Sequence, residues 1–259
     1  MALHPSIART AVVRWVKPAA PLKRPLAVPC GDGYNTSRSS IIWLTLSCVH
    51  MSLLDRQQSY SFSRYFEMGL EASELAIELG YTLTRKNLQL PQFSGQLDRL
   101  EELRDRLEEV LPYVPLTSEL ARREIIISRV MTEVIHYTHA ELRIEYPLKV
   151  SNWLQGNLDY LFQLKNPAMQ LVVIEAKYED LTRGFTQLVA ELAAIDQWEK
   201  TPDLDQQPQI IGAVTTGLSW QFGRLDRATK QFEQGINSYR VPEDLESVMR
   251  ILVAAVQGN

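Results

Sequence analysis

Three charged residues in apolar surroundings are the ones whose types and spacing fit catalysis. Asp159 interrupts the run Leu158-Asp159-Tyr160-Leu161-Phe162, and sixteen residues later Leu171-Val172-Val173-Ile174 ends in Glu175-Ala176-Lys177. Side chains alternate faces along an extended strand, so Glu175 and Lys177 share a face and Ala176 takes the other. A neighbouring strand carrying Asp159 brings a second carboxylate to the same place. Two carboxylates held close need a compensating cation, because like charges disfavour joint ionisation unless a metal neutralises them. All-oxygen donors suit a hard divalent ion: Mg2+ is expected, with Mn2+ as a substitute. Lys177 then stands where it can act on a water molecule beside the cation.

The surrounding pattern supplies the elements that must position these groups. Thr117 or Ser118 caps a helix expected to run to about Tyr137, with Leu120, Ile126, Ile127, Val130 and Val134 inward. Strands are expected at Leu142 to Tyr146, Gly156 to Gln163 and Gln170 to Lys177, the third apolar enough for burial on both faces. Thr182 to Trp198 reads as a helix, Ile210 to Thr216 and Trp220 to Leu225 as further strands, and Pro242-Glu243-Asp244 as the opening of a last helix. The order is αβββαβ. Upstream, Glu71 to Leu79 reads as a short helix ended by Gly80, Tyr81 to Thr84 as a strand, and Gln96 to Val110 as an amphipathic helix through Leu97, Leu100, Leu103 and Leu107.

Asp159, the Glu175-Ala176-Lys177 triplet and Gln187 on the following helix resemble the PD-(D/E)xK nuclease superfamily over Thr117 to about Asp226, although the proline of the motif's name is absent. In the RecB-like branch a glutamine opens a Gln-x-x-x-Tyr motif, and here Glu191 occupies the tyrosine position. Ser118 to Ile126 also resembles the helix that precedes the core in related nuclease domains, which offers Glu119 or Glu124 as a further carboxylate. The resemblance implies a restriction-endonuclease-like α/β fold, with a mixed central sheet flanked by helices, and hydrolysis of phosphodiester bonds in DNA. Asp159 and Glu175 would hold the ion with the Ala176 carbonyl, Lys177 would act on the attacking water, and Gln187 would orient. A homodimer is compatible with cutting both strands.

Composition sets bounds on this expectation. With 259 residues and 45% hydrophobic content the chain can bury a sizeable core. Residues 1–50 carry six Lys or Arg against one acid, so the other 209 hold 21 basic and 30 acidic residues, a charge of −9. Such a body does not favour indiscriminate polyanion binding; nucleic-acid contact is expected to be local and metal-assisted. The two cysteines, Cys30 and Cys48, leave residues 51–259 without thiols, which points to a reducing, cytoplasmic setting. Five prolines scatter through residues 1–50, read as an unfolded or upstream-misassigned extension preceding Met51, with an organelle transit peptide as the alternative. Residues 51–116 are then elements packed on the core, and 117–259 the nuclease-like domain.

Ordinary readings are preferred for other polar groups. His136 and His139 read as solvated helix-end histidines, Trp198 and Trp220 as packing residues, and Arg183 and Lys230 as surface cations. No Gly-rich phosphate loop or Gly-x-Ser-x-Gly occurs. The remaining alternative is a nuclease-fold protein, catalytically weak or inactive, that binds nucleic acid or protein.

Overall fold

Local signals start the helices where the side chains demand it. Ser61 accepts a hydrogen bond from the Arg64 amide and opens α1 (Phe62–Met68), which Gly69 closes at φ +66°. A reciprocal Glu71–Glu74 capping box opens α2 (Ala72–Glu78). The computed structural model describes residues 52–55, 57–164, 170–175 and 180–258, with the side chains of 170–175 outside that description.

After β1 (Thr82–Lys86) comes α3 (Leu100–Val110), then α4 (Glu119–Arg122), a π-helical turn (Arg123–Ile127) and α5 (Ser128–Thr138). Next are β2 (Glu141–Lys149), β3 (Gln155–Gln163), β4 (Gln170–Glu175), α6 (Leu181–Gln197), β5 (Gln209–Thr215), β6 (Ser219–Asp226), β7 (Gln231–Arg240) and α7 (Leu245–Gln257). The protein is mixed α/β. Among the described residues a seven-stranded mixed sheet runs in the order β1-β7-β6-β5-β4-β3-β2. β2, β3 and β4 form an antiparallel meander, and α6 crosses over to place β5 parallel to β4.

Two apolar layers clothe this sheet. On one face α6 is sandwiched between the strands and the α1–α2 pair, burying Phe185, Leu188, Leu192 and Ile195. Burial nearly all round its circumference explains why α6 is so rich in alanine and leucine. On the other face α3, α5 and α7 pack together through Leu103, Val130, Leu252 and their neighbours. Pro147 fits β2 because β2 is an edge strand. No helix among the described residues is long and apolar enough to cross a membrane.

Several expectations need correction. Leu120 is 66% exposed rather than inward, because the π-helical turn adds a residue and rotates the first turn of the helix away from the face that Ile126, Ile127 and Val130 share. α3 starts at Leu100, four residues later than expected from Gln96. Phe62–Met68 is a helix that lies upstream of the elements expected from the sequence. The strand Gln231–Arg240 was not foreseen: its glutamine, asparagine and serine residues hide it, yet it joins β1 to β6.

Candidate functional site

The β2–β3 hairpin carries the first component. Its register pairs Ile144 with Tyr160 and Tyr146 with Leu158, but omits the intervening Glu145 and Asp159. Glu145 has φ +51°, a left-handed conformation that reverses the pleat. Tyr160 therefore faces the α5–α7 layer while Leu158, only two residues away, faces the α6 layer. Asp159 sits at this reversal, half-buried.

Around it opens a cavity of about 360 Å³, lined by Glu119, Glu145, Asn157, Asp159 and Gln187, with Ser61 and Ser63 of the α1 region. Each contributor is placed by its own element. Ser118 caps α4 through the Ala121 amide and sets Glu119 in the first turn, where the helix dipole favours a carboxylate. Gly156, at φ +141°, lets β3 pass close under Phe62; a Cβ there would lie 2.9 Å from the Phe62 ring. That close approach holds the Ser61 end of α1 against β3, reinforced by the Ser61–Gln155 bridge.

Gln187 enters from α6 and donates through Nε2 to Glu191 Oε1 at 2.9 Å. Glu191 is completely buried, and its Oε2 has no hydrogen-bond partner among the described residues. Burial pushes this carboxyl well above its ordinary range, the nearby Asp159 charge adds to the shift, and the Gln187 hydrogen bond opposes it.

The adjacent strand, β4, runs to Glu175. Its ladder with β3 ends at Tyr160 and Val173, so the two strands part just before Asp159 on one and Ile174, the residue preceding Glu175, on the other. The backbone of Glu175 pairs with Thr215 of β5. The Glu175 side chain, together with Ala176 and Lys177, lies outside the described residues.

Of the two helix glutamates, Glu119 lines the Asp159 cavity and Glu124 does not. Glu124 is exposed and lines a separate, more apolar cleft of about 450 Å³ with Leu120, Ile144 and Tyr160. Arg123 ties together the elements bordering both spaces. Its Nη1 lies 2.6 Å from Glu145 Oε1, its Nε donates to the Tyr160 hydroxyl at 3.2 Å, and its guanidinium lies 5.2 Å from the centroid of that ring. Glu145 was read in the sequence only as part of an alternating strand, and nothing in Leu142-Arg143-Ile144-Glu145-Tyr146 signals its positive φ.

His136, Trp198, Trp220, Arg183 and Lys230 have structural partners, and His139 ends α5 at φ +53°. His136 lies 3.6 Å from Asp98, Trp220 is buried with its indole N–H on the Gly217 carbonyl, and Trp198 packs on Tyr146. Arg183 pairs with Asp180, and Lys230 with Asp196.

Among the described residues, no three His, Cys, Asp or Glu side chains gather closely enough to form a metal cluster. A magnesium site needs less, since one or two carboxylates with waters suffice. The oxygen donors lining the cavity, Asp159 and Glu119 with the Gln187 carboxamide, fit a hard cation, and Glu191, hydrogen-bonded to Gln187, has one oxygen without a partner among the described residues. No family model, curated protein or solved structure matches the chain.

Proposed function

We propose that this protein is a metal-dependent nuclease of restriction-endonuclease-like fold that hydrolyses phosphodiester bonds of DNA with Mg2+. The observation carrying this reading is that Asp159 of β3, Glu119 of α4 and Gln187 of α6, three separate elements, line one cavity where β3 parts from the strand that ends in Glu175. The element order α5-β2-β3-β4-α6-β5 supports the same reading.

Asp159 and Glu175 are assigned to hold the cation, with Glu119 as a further carboxylate and the Ala176 carbonyl as an added donor. When bound, the cation supplies Lewis-acid stabilisation of charge developing on the phosphate and makes water more acidic. Lys177, two residues beyond Glu175 in the sequence, is assigned to orient the attacking water and favour its deprotonated form. Gln187 is assigned to accept a hydrogen bond through its carboxamide oxygen at the cavity wall and so to fix the direction of the donor. The net acidic body leaves phosphate binding dependent on that local site rather than on a broad basic surface.

The test uses the full-length chain with supercoiled and linear DNA, with Mg2+ or with a chelator. Nicking that requires the divalent ion, and that is lost in Lys177→Ala with cation binding retained, is expected. Cleavage unaffected by both Asp159→Ala and Glu175→Ala overturns the reading. One observation favours the second reading, a nuclease-fold binding module: Glu145 of the same cavity already has a protein cation in Arg123. That reading expects DNA or protein binding with no cleavage under any metal.

A further inference from the structure

Glu191 lies one helical turn beyond Gln187 on α6, in the apolar layer under the sheet. Its position is costly. It is fully buried, only Oε1 has a hydrogen bond, and Oε2 has no partner among the described residues. Its neighbours Ala190, Leu192, Ala193 and Ala194 are all buried and apolar, so a leucine would pack at this place without an unmet polar atom. Whether ionised or carrying a proton on Oε2, the glutamate presents Oε1 as an acceptor to the amide end of Gln187.

That acceptor matters because the two ends of a carboxamide are chemically opposite. Nε2 donates and Oε1 accepts. With Nε2 held by Glu191 at 2.9 Å, the carbonyl oxygen is the end left for the cavity that Gln187 lines with Asp159 and Glu119. An oxygen there is a hard donor toward a divalent cation or its water, whereas an outward N–H2 is repelled by a cation. We propose that Glu191 is a positioning residue that locks the Gln187 carboxamide with its oxygen toward the Asp159 cavity, tuning that cavity for a divalent cation. The inference rests on the reading of the cavity as a cation site.

The test compares full-length wild type with Glu191→Leu, Glu191→Gln and Gln187→Leu, measuring Mn2+ affinity by calorimetry and thermal unfolding without metal. Glu191→Leu is expected to weaken Mn2+ binding about 10- to 100-fold, as loss of a residue supporting a metal ligand does, and to unfold at an equal or higher temperature. Gln187→Leu is expected to match that loss of affinity. Glu191→Gln keeps a side-chain oxygen for Nε2 and is expected to bind within roughly threefold of wild type. Wild-type affinity in Glu191→Leu overturns the positioning role and leaves the cation site standing. So does a Glu191→Gln variant as weak as Glu191→Leu, or a Glu191→Leu variant that is destabilised to the extent that it loses affinity. Absence of Mn2+ binding by wild type overturns the cation reading itself, and the positioning role with it.

Discussion

Glu145 stands opposite Asp159 at the interruption of the β2–β3 ladder, and its left-handed backbone is what turns the Asp159 segment from one layer to the other. A residue with a Cβ costs about 1–2 kcal/mol in that conformation. Glu145→Gly is therefore expected to unfold within about 1 kcal/mol of wild type, relief of strain offsetting the lost Arg123 pair, whereas Glu145→Val is expected to lose about 2 kcal/mol or more. Urea unfolding of the two variants decides this. Equal midpoints would show that the pleat reversal is not held at this residue.

Glu119 and Glu124 separate by cavity, and their variants should separate by activity. Glu119→Gln is expected to lower metal-dependent DNA cleavage about 10-fold or more, since it removes a carboxylate from the Asp159 cavity. Glu124→Gln, exposed and facing the apolar cleft, is expected to cleave as wild type does. Metal titrations of single-turnover rates make the comparison, and the reverse ranking would move the site to the other cleft.

Gly212 and Gly223 face each other across β5 and β6, and the space their missing side chains leave is filled by Leu188 and Phe185 of α6. A Cβ at Gly223 would meet the Phe185 ring at 2.6 Å, and Phe185 is buried too completely to yield freely. Gly223→Ala is expected to cost about 1–3 kcal/mol through overpacking. Because the displaced helix also carries Gln187, cation affinity should fall in the same variant. A Gly223→Ala protein with an unchanged melting temperature would contradict the close seating of α6.

Asp196 anchors the far end of the same helix. Its carboxylate accepts from Arg227, Lys230 and the Tyr81 hydroxyl, and only 2% of its side chain is exposed. Burial alone would raise its pKa, but the hydrogen bonds from Lys230, Tyr81 and Arg227 overcome burial and hold it below the ordinary carboxylate range. The unfolded chain thus binds this proton more readily than the folded one. The stabilisation is fully present above the unfolded value near pH 4 and is lost as pH falls through the lower folded value. Asp196→Asn is expected to cost about 3 kcal/mol at neutral pH, because it leaves the mostly buried Arg227 without its counter-charge, and to flatten the acid limb of the stability profile. Urea midpoints from pH 3 to 7 check both effects.

Strong periodic segments made most of the fold legible. The apolar runs around Leu171 and Ile210 and the helical spacing of apolar residues in α6 and α7 are signals that tertiary packing reinforces, so the three successive strands, the helix after them and the last helix were readable, whereas the strand directions were not. β7 was not, because a strand supported on both sides by hydrogen-bonded neighbours can tolerate Gln, Asn and Ser that local propensity disfavours. The π-helical turn and the Glu145 reversal were likewise hidden. Both are backbone irregularities set by long-range packing, and no residue type near Ile125 or Glu145 announces them. For the candidate site, Asp159 could be singled out as a charge inside an apolar run and Gln187 through the family resemblance, but choosing between Glu119 and Glu124 required the helix's actual rotation.

The pairing of β1 with β7 joins segments from nearly opposite ends of the sheet-forming chain; Arg85 and Gln234, hydrogen-bonded to one another, are 149 positions apart. During synthesis from the N-terminus, Thr82–Lys86 emerges from the ribosome long before its partner exists. Charged residues such as its Arg85 and Lys86 disfavour edge-to-edge pairing in general, and in the folded protein Lys86 pairs with Glu233. A nascent chain stopped before Gln231 would leave β1 without a sheet partner and one side of β6 open, and so the last strand made is also the one that brings the first into the sheet.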